Sequence, residues 1–271
     1  MIINITQHCT LRCPHCMQCA GPERTEFMDK ETFLKSIEFA KNIKSDVLSI
    51  SGGEPTSHPL FLEFLKIALA SNFVSVNVLS NGTFLQDHDF TEQFVNIVKD
   101  YSGFFLQISS FKTLYANYGQ IHKPNLRGLR LFQNKVVVCD ESNSQMRIKP
   151  LGRASSGEWL EQAKQFNGFP SCANSCIILA QNIHNKHRGV GGIMEMYLRF
   201  CLPIVSWDGN IRLGESEQCK VVANISEPLQ DINDKLFAFR PCGNCQSFKW
   251  HFEPPKSDKD KQVAKVLWPN S

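Results

Sequence analysis

His8-Cys9-Thr10-Leu11-Arg12-Cys13-Pro14-His15-Cys16 sets three cysteines at a C-x3-C-x2-C spacing near the N-terminus. Three thiolates on one short loop can hold three irons of a cubane [4Fe–4S] cluster, because cysteine thiolate is the usual protein ligand of such clusters. The fourth iron then has no protein ligand, and an open iron can bind and reduce a substrate or cofactor. Zinc is the competing reading. It takes four ligands, normally as paired hooks, and Cys19, His8 and His15 are at hand to complete a set.

Residues 46–51 read as a short strand, and Gly52-Gly53-Glu54-Pro55 follows directly. Two glycines at a strand end let backbone come close to a ligand, since no side chain intervenes. Glu54 supplies a carboxylate for a cation there. Gly-Gly-Glu-Pro alone would suit a surface turn, but it follows the cysteine loop at about one βα unit's distance. Together the two motifs resemble the radical S-adenosylmethionine (radical SAM) superfamily, whose signature is C-x3-C-x-φ-C with φ often aromatic; His15 occupies the φ position. The resemblance implies that Cys9, Cys13 and Cys16 hold the cluster. It also implies that S-adenosylmethionine chelates the open iron through its amino and carboxylate groups. Gly52, Gly53, Glu54 and Pro55 would contact the cofactor's ammonium.

Strand and helix patterns alternate along the first half. Strands are expected at residues 2–6, 46–51, 73–79 and 104–109, with further candidates at 129–132, 135–140 and 146–149. Helices are expected at 28–43, 60–70 and 89–100. The first has Asp29 as N-cap and Phe33, Ile37 and Ala40 on one face. Repeated βα units predict a parallel sheet with right-handed crossovers, and the family resemblance implies a partial (βα)6 barrel over residues 1–155. In parallel α/β folds ligands bind beyond the C-terminal strand ends. Ser80, Asn81 and Ser109 fall at such ends; Ser80 and Asn81 are candidates for the cofactor's ribose, although Asn-Gly is also an ordinary turn. Lys149-Pro150-Leu151-Gly152-Arg153-Ala154 resembles the P-x-G-R-A segment that closes the barrel in relatives with a C-terminal cluster extension. Arg153 is either a partner of the cofactor carboxylate or a solvated linker residue.

The second half holds another cysteine set: Cys201, Cys219, Cys242 and Cys245. The first pair brackets Asp208-Gly209-Asn210, a hairpin turn between residues 204–207 and 211–213, and Cys242-Gly243-Asn244-Cys245 is a two-ligand hook. Four thiolates fully ligate a second cluster or a zinc ion. The arrangement resembles the twitch form of the SPASM extension, which implies an auxiliary [4Fe–4S] cluster within residues 156–250. Cys172 and Cys176 are open to four readings: ligands with His184 or His187, a redox pair, a hydrogen-atom donor to a substrate radical, or two small residues on one helical face. Cys139 reads as a buried strand cysteine, Cys19 as a bystander, and His58 and His122 as loop residues. Residues 251–271 read as a solvated tail.

Of 271 residues 11 are cysteines, and the net charge of +3 is too small to argue for nucleic acid as a partner. Residues 1–6 lack a basic segment and a long apolar run, and no stretch reaches transmembrane length. A reducing cytoplasm is therefore expected, with the thiols serving metal or redox work. The resemblance implies reductive cleavage of S-adenosylmethionine to a 5′-deoxyadenosyl radical, which abstracts a hydrogen atom from the substrate. A one-electron reductant such as flavodoxin or ferredoxin would supply the cluster. The expected reaction is oxidative modification of a ribosomally made peptide. Its alternative is dehydrogenation or cyclisation of a small metabolite. The first cluster cysteine is residue 9, so recognition is expected from the barrel, the extension or a separate peptide-recognition protein. A non-catalytic iron–sulfur or zinc module is the reading from another class; the Gly52-Gly53-Glu54-Pro55 element argues against it.

Overall fold

The structure is a computed structural model that describes residues 1–109, 136–139, 152–155, 203–214 and 219–238. Asp29 opens helix α1 (Lys30–Asn42), its carboxylate accepting the Thr32 N–H at 2.7 Å. Phe33, Ile37 and Ala40 are buried, as their spacing predicts. Phe33 stacks on Phe64 of helix α2 (Phe61–Leu69) with ring centroids 4.1 Å apart. Burial of an aromatic side chain of this kind contributes about 1.5–3 kcal/mol. Helix α3 (His88–Val98) is capped by Asp87, and its Phe94 meets Phe104 edge-on.

These helices pack against a sheet of strands β1 (Ile2–Asn4), β2 (Val47–Ser51), β3 (Ser75–Ser80), β4 (Phe104–Ser109) and β5 (Val136–Cys139). The sheet continues with β6 (Pro203–Val205), β7 (Asn210–Leu213) and β8 (Val221–Asn224), in the order β5-β4-β3-β2-β1-β6-β7-β8. Pairing is parallel from β5 through β1 to β6, with Ile2 opposite Ile204. It is antiparallel from β6 to β8. The expected parallel sheet therefore holds for the βα units only. The turn at Gly209, with φ +76, reverses the chain, and the added strands make the sheet mixed and open among the described residues.

The strands alternate. Leu48, Ile50, Val76, Val78, Leu106 and Ile108 are buried under the helices. The opposite face carries Ser49, Ser51, Asn77, Gln107 and Ser109, partly or fully exposed. Alternation marks a sheet whose two faces differ, one apolar and buried and one mixed, where Val47, Leu79 and Phe105 stand among the polar side chains.

Strand β8 and helix α4 (Leu229–Ala238) are elements the sequence reading lacks. Four residues are too few for a period-2 signal, and the Asp and Asn residues of α4 have weak helix propensity. The candidate strands at 129–132 and 146–149, Cys172, Cys176, Cys201, Cys242, Cys245, His122, His184, His187 and the tail lie outside the described residues. Among the described residues no helix is long and apolar enough to cross a membrane.

Candidate functional site

The cysteine loop leaves the C-terminal end of β1 and returns beside it. Gln7 N–H donates to Glu26 O (3.1 Å), Met28 N–H to Ile5 O (2.8 Å), and Thr6 bridges Phe27. Within that neck Cys9 N–H donates to Gly21 O and Gly21 N–H to Gln7 O. Residues 10–20 are thus a closed excursion whose turns bond Cys16 N–H to Cys13 O and Cys19 N–H to Cys16 O. Cys19 takes a left-handed φ of +51, unusual for a residue with a side chain.

The end of β2 seats this loop. Gly53 N–H donates to Thr6 O (2.7 Å) and Glu54 N–H to His8 O (2.8 Å). A Cβ on Gly53 would lie 2.1 Å from His8 O, and one on Gly52, at φ +140, would lie 2.5 Å from Thr6 O. The sequence reading assigns the two glycines to close approach by a ligand. The backbone they let in is that of the cysteine loop itself.

Glu54 is 1% exposed. Its Oε1 accepts from Thr56 N (3.2 Å), Thr56 Oγ1 (2.6 Å) and Ser80 Oγ (2.8 Å), and its Oε2 accepts from Asn81 N (2.7 Å). Burial raises its pKa above 4.5, opposed by these donors. The carboxylate therefore ties the ends of β2 and β3 together, leaving lone-pair capacity on Oε2. Pro55, buried, opens the short turn that brings Thr56 into place. Ser80 is buried too, and its hydroxyl accepts the Gly82 N–H (2.9 Å) while donating to Glu54. It supports the site from behind rather than facing outward. Thr56 carries no motif signal and is the member of this set that sequence reading misses.

Asn81 faces the cysteine loop. Its Nδ2 lies 3.7 Å from Cys9 Sγ and donates to Thr10 Oγ1 at 3.0 Å, while its Oδ1 accepts from Thr83 N and Oγ1. Leu11 N–H also reaches Cys9 Sγ (3.4 Å). From the other side come Gly152 and Arg153. Arg153 donates through Nη1 to Cys13 O, through Nη2 to Ala20 O (2.6 Å), and through its backbone N–H to Cys16 O (3.0 Å). It is thus bonded to the cysteine loop and is not a solvated linker residue. Ser109 stands half-buried at the end of β4.

Cys9 and Cys13 are both pushed up to about 12, first by burial; at Cys9 the Glu54 carboxylate and then the Cys16 thiol add to the rise against the Leu11 N–H, and at Cys13 the other two thiols add to it against Arg153. Without a compensating cation these groups stay protonated; bound iron would supply that charge. His15, held down to about 4 by burial and by Arg153, is a neutral imidazole. Among the described residues no group of three or more His, Cys, Asp or Glu is arranged to hold a single metal ion. The donor set, three mutually interacting thiols on a tightly held loop, fits a polynuclear iron–sulfur group better than mononuclear zinc.

His58 is a packed core residue: Nε2 donates to Met28 O (2.9 Å), Nδ1 accepts from Leu60 N (3.0 Å), and its ring meets Phe27 edge-on. Cys219 lies half-buried between β7 and β8. A surface cavity lined by Lys41, Lys44, Asp46 and Phe73 sits at the opposite, N-terminal end of the strands, away from every candidate residue. Ligands of parallel α/β sheets bind at C-terminal ends, which favours the cysteine loop over this cavity as the candidate site.

A loop of three cysteines seated on a Gly-Gly-Glu strand end defines an iron–sulfur class of α/β protein. The sequence profile of the Radical SAM superfamily matches residues 3–135, and this segment belongs to that superfamily. Membership implies a [4Fe–4S] cluster and S-adenosylmethionine. The GTP 3′,8-cyclase of Chlorobaculum tepidum is 31% identical over 84 residues, which are 31% of this chain and 26% of the cyclase. The putative peptide biosynthesis protein YydG of Bacillus subtilis is 33% identical over 81 residues, 30% of this chain and 25% of YydG. The matched stretch thus spans about a quarter of these relatives. BtrN, solved in complex with AdoMet and 2-DOIA, superposes with a TM-score of 0.52 at 16% identity, covering 98% of this chain and 85% of BtrN. That likeness concerns the fold alone.

Proposed function

We propose that this chain is a radical S-adenosylmethionine enzyme that oxidatively modifies a ribosomally made peptide. The observation that carries the chemistry is the cysteine loop held by Gly53 and Glu54 N–H groups at the C-terminal end of the sheet. Cys9, Cys13 and Cys16 would hold the cluster, and the open iron would take S-adenosylmethionine. When bound, the pair supplies a 5′-deoxyadenosyl radical that abstracts a substrate hydrogen atom. Gly52, Gly53 and Pro55 shape the wall beside the cofactor, and Glu54 keeps one acceptor position for its ammonium. Asn81 and Ser109 mark the strand ends where a ribose would lie. The barrel reading extends to the sheet as a partial (βα)6 barrel. Cys201, Cys219, Cys242 and Cys245 are proposed to hold an auxiliary cluster in a twitch-like extension, as an electron acceptor.

A peptide substrate is supported by the kinship with YydG. The kinship with the cyclase favours a small-molecule reading, which the same experiment separates. Reconstituted protein should contain about eight irons for two cubanes and, when reduced with S-adenosylmethionine, should release 5′-deoxyadenosine. No 5′-deoxyadenosine from protein with a filled first cluster would sink the proposal. Candidate peptides should raise that release; GTP should not.

A further inference from the structure

The residues that clasp the cysteine loop from outside point to a role that neither motif predicts. Arg153 reaches the loop from 133 to 140 positions downstream and satisfies carbonyls within and just after its ligand run. Nη1 takes the carbonyl of Cys13 and Nη2 that of Ala20 (2.6 Å), while the Arg153 N–H takes that of Cys16 (3.0 Å). Two of those three carbonyls belong to candidate ligands. Gly152 makes this approach feasible: its φ is +57, and a Cβ there would meet Cys16 O at 2.4 Å and Met17 Cα at 2.6 Å. The fit is therefore backbone against backbone, with a planar, permanently charged fork closing it.

We propose that Arg153 is a positioning residue for the first cluster. Resting on the reading that Cys9, Cys13 and Cys16 hold that cluster, the proposal has two parts. The fork fixes the Cys13–Cys16 turn relative to Cys9, so the loop keeps its ligand geometry and retains iron. The charge beside Cys13 favours electron uptake by the cluster, raising its reduction potential. Hydrogen bonds and charge around cluster ligands are established levers on both properties.

The test uses full-length protein reconstituted anaerobically, as wild type and as Arg153→Lys, Arg153→Gln and Arg153→Ala. Three quantities are measured: the rate of iron loss to a chelator, the electron paramagnetic resonance spectrum of the reduced first cluster, and its midpoint potential. Cys201 and Cys219 are replaced by alanine in every protein, so that only the first cluster is read. Arg153→Gln and Arg153→Ala should lose iron about 10–100-fold faster, the usual range for changes just outside a metal's ligands. Their midpoints should move to more negative potential. Arg153→Lys should restore the potential but not the retention, since an ammonium keeps the charge without the fork. If Arg153→Ala does not fold, the Lys and Gln variants at equal iron content decide the same question. Wild-type values in all variants would overturn the clasp while leaving the cluster reading intact. Iron unchanged after replacing Cys9, Cys13 and Cys16 with alanine would overturn both.

Discussion

The cysteine loop is fastened at two places by different means. On the incoming side, Gly53 and Glu54 offer backbone N–H groups from the end of β2, itself hydrogen-bonded between β1 and β3. On the ligand side, Cys13, Cys16 and Ala20 depend on the Gly152-Arg153 pair. The first fastening is part of the sheet, so disturbing it disturbs the fold. The second is a single turn laid on the loop, so disturbing it should leave the sheet standing. Position in the chain follows this division: a fastening built into the fold lies one βα unit from the cysteines, and a clasp can come from anywhere.

The largest effect should come from Gly53→Ala. Its Cβ would lie 2.1 Å from His8 O, on backbone that the Gly53 and Glu54 N–H bonds hold against the end of the sheet. Overpacking of this kind costs about 1–3 kcal/mol and occasionally more, so urea unfolding should show a destabilised apoprotein that retains little cluster after reconstitution. Gly152→Ala makes a somewhat longer but still forbidden contact, 2.4 Å to Cys16 O. There the clash can be relieved by lifting the clasp, so its unfolding midpoint should stay near wild type while iron retention falls. Equal destabilisation in the two variants would erase the distinction.

Glu54 comes next. Its carboxylate holds four donors, so Glu54→Ala strands buried N–H and O–H groups at about 1–3 kcal/mol each for those that water cannot reach. Glu54→Gln should be milder: its oxygen can keep the Asn81 N–H, and its amide can donate to the rotatable hydroxyls of Thr56 and Ser80. If the carboxylate also holds the cofactor ammonium, Glu54→Gln should weaken S-adenosylmethionine binding by about tenfold, the scale of one charge-assisted bond. Calorimetry on cluster-loaded protein reads this directly. Unchanged affinity would make Glu54 a staple between strands and nothing more.

Much of this was legible in sequence, and the failures share a cause. Asp29, Phe33, Ile37 and Ala40 announce α1 because capping and helical spacing are local. The hairpin is local too, but its partner is not: Ile204 pairs with Ile2, and no nearby pattern signals that contact. Ser80 illustrates a misread face. Val76 and Val78 set the parity of β3, so Ser80 points to the helix-covered side, while Asn81, one residue on, turns to Cys9. Arg153 shows only a charge in sequence, because the carbonyls it bonds, at Cys13 and Ala20, lie more than 130 positions upstream.

The smallest expected effect concerns the loop's return, where His58 holds Met28 O just after the chain re-enters the sheet. Burial holds the His58 pKa below 6.5, and Nδ1 accepts the Leu60 N–H, which a protonated ring cannot do. The unfolded chain therefore takes up this proton at higher pH than the folded one. The stability owed to neutral His58 is complete above pH 6.5 and is lost as the pH falls toward the depressed folded value. Urea midpoints of wild type should thus drop across that window, and His58→Gln, which cannot titrate, should drop less. The return segment is bonded to the chain just after β1, through Met28 N–H to Ile5 O, so the drop should appear as global unfolding and not as iron loss at constant fold. Iron loss ahead of unfolding would place His58 with the clasp instead.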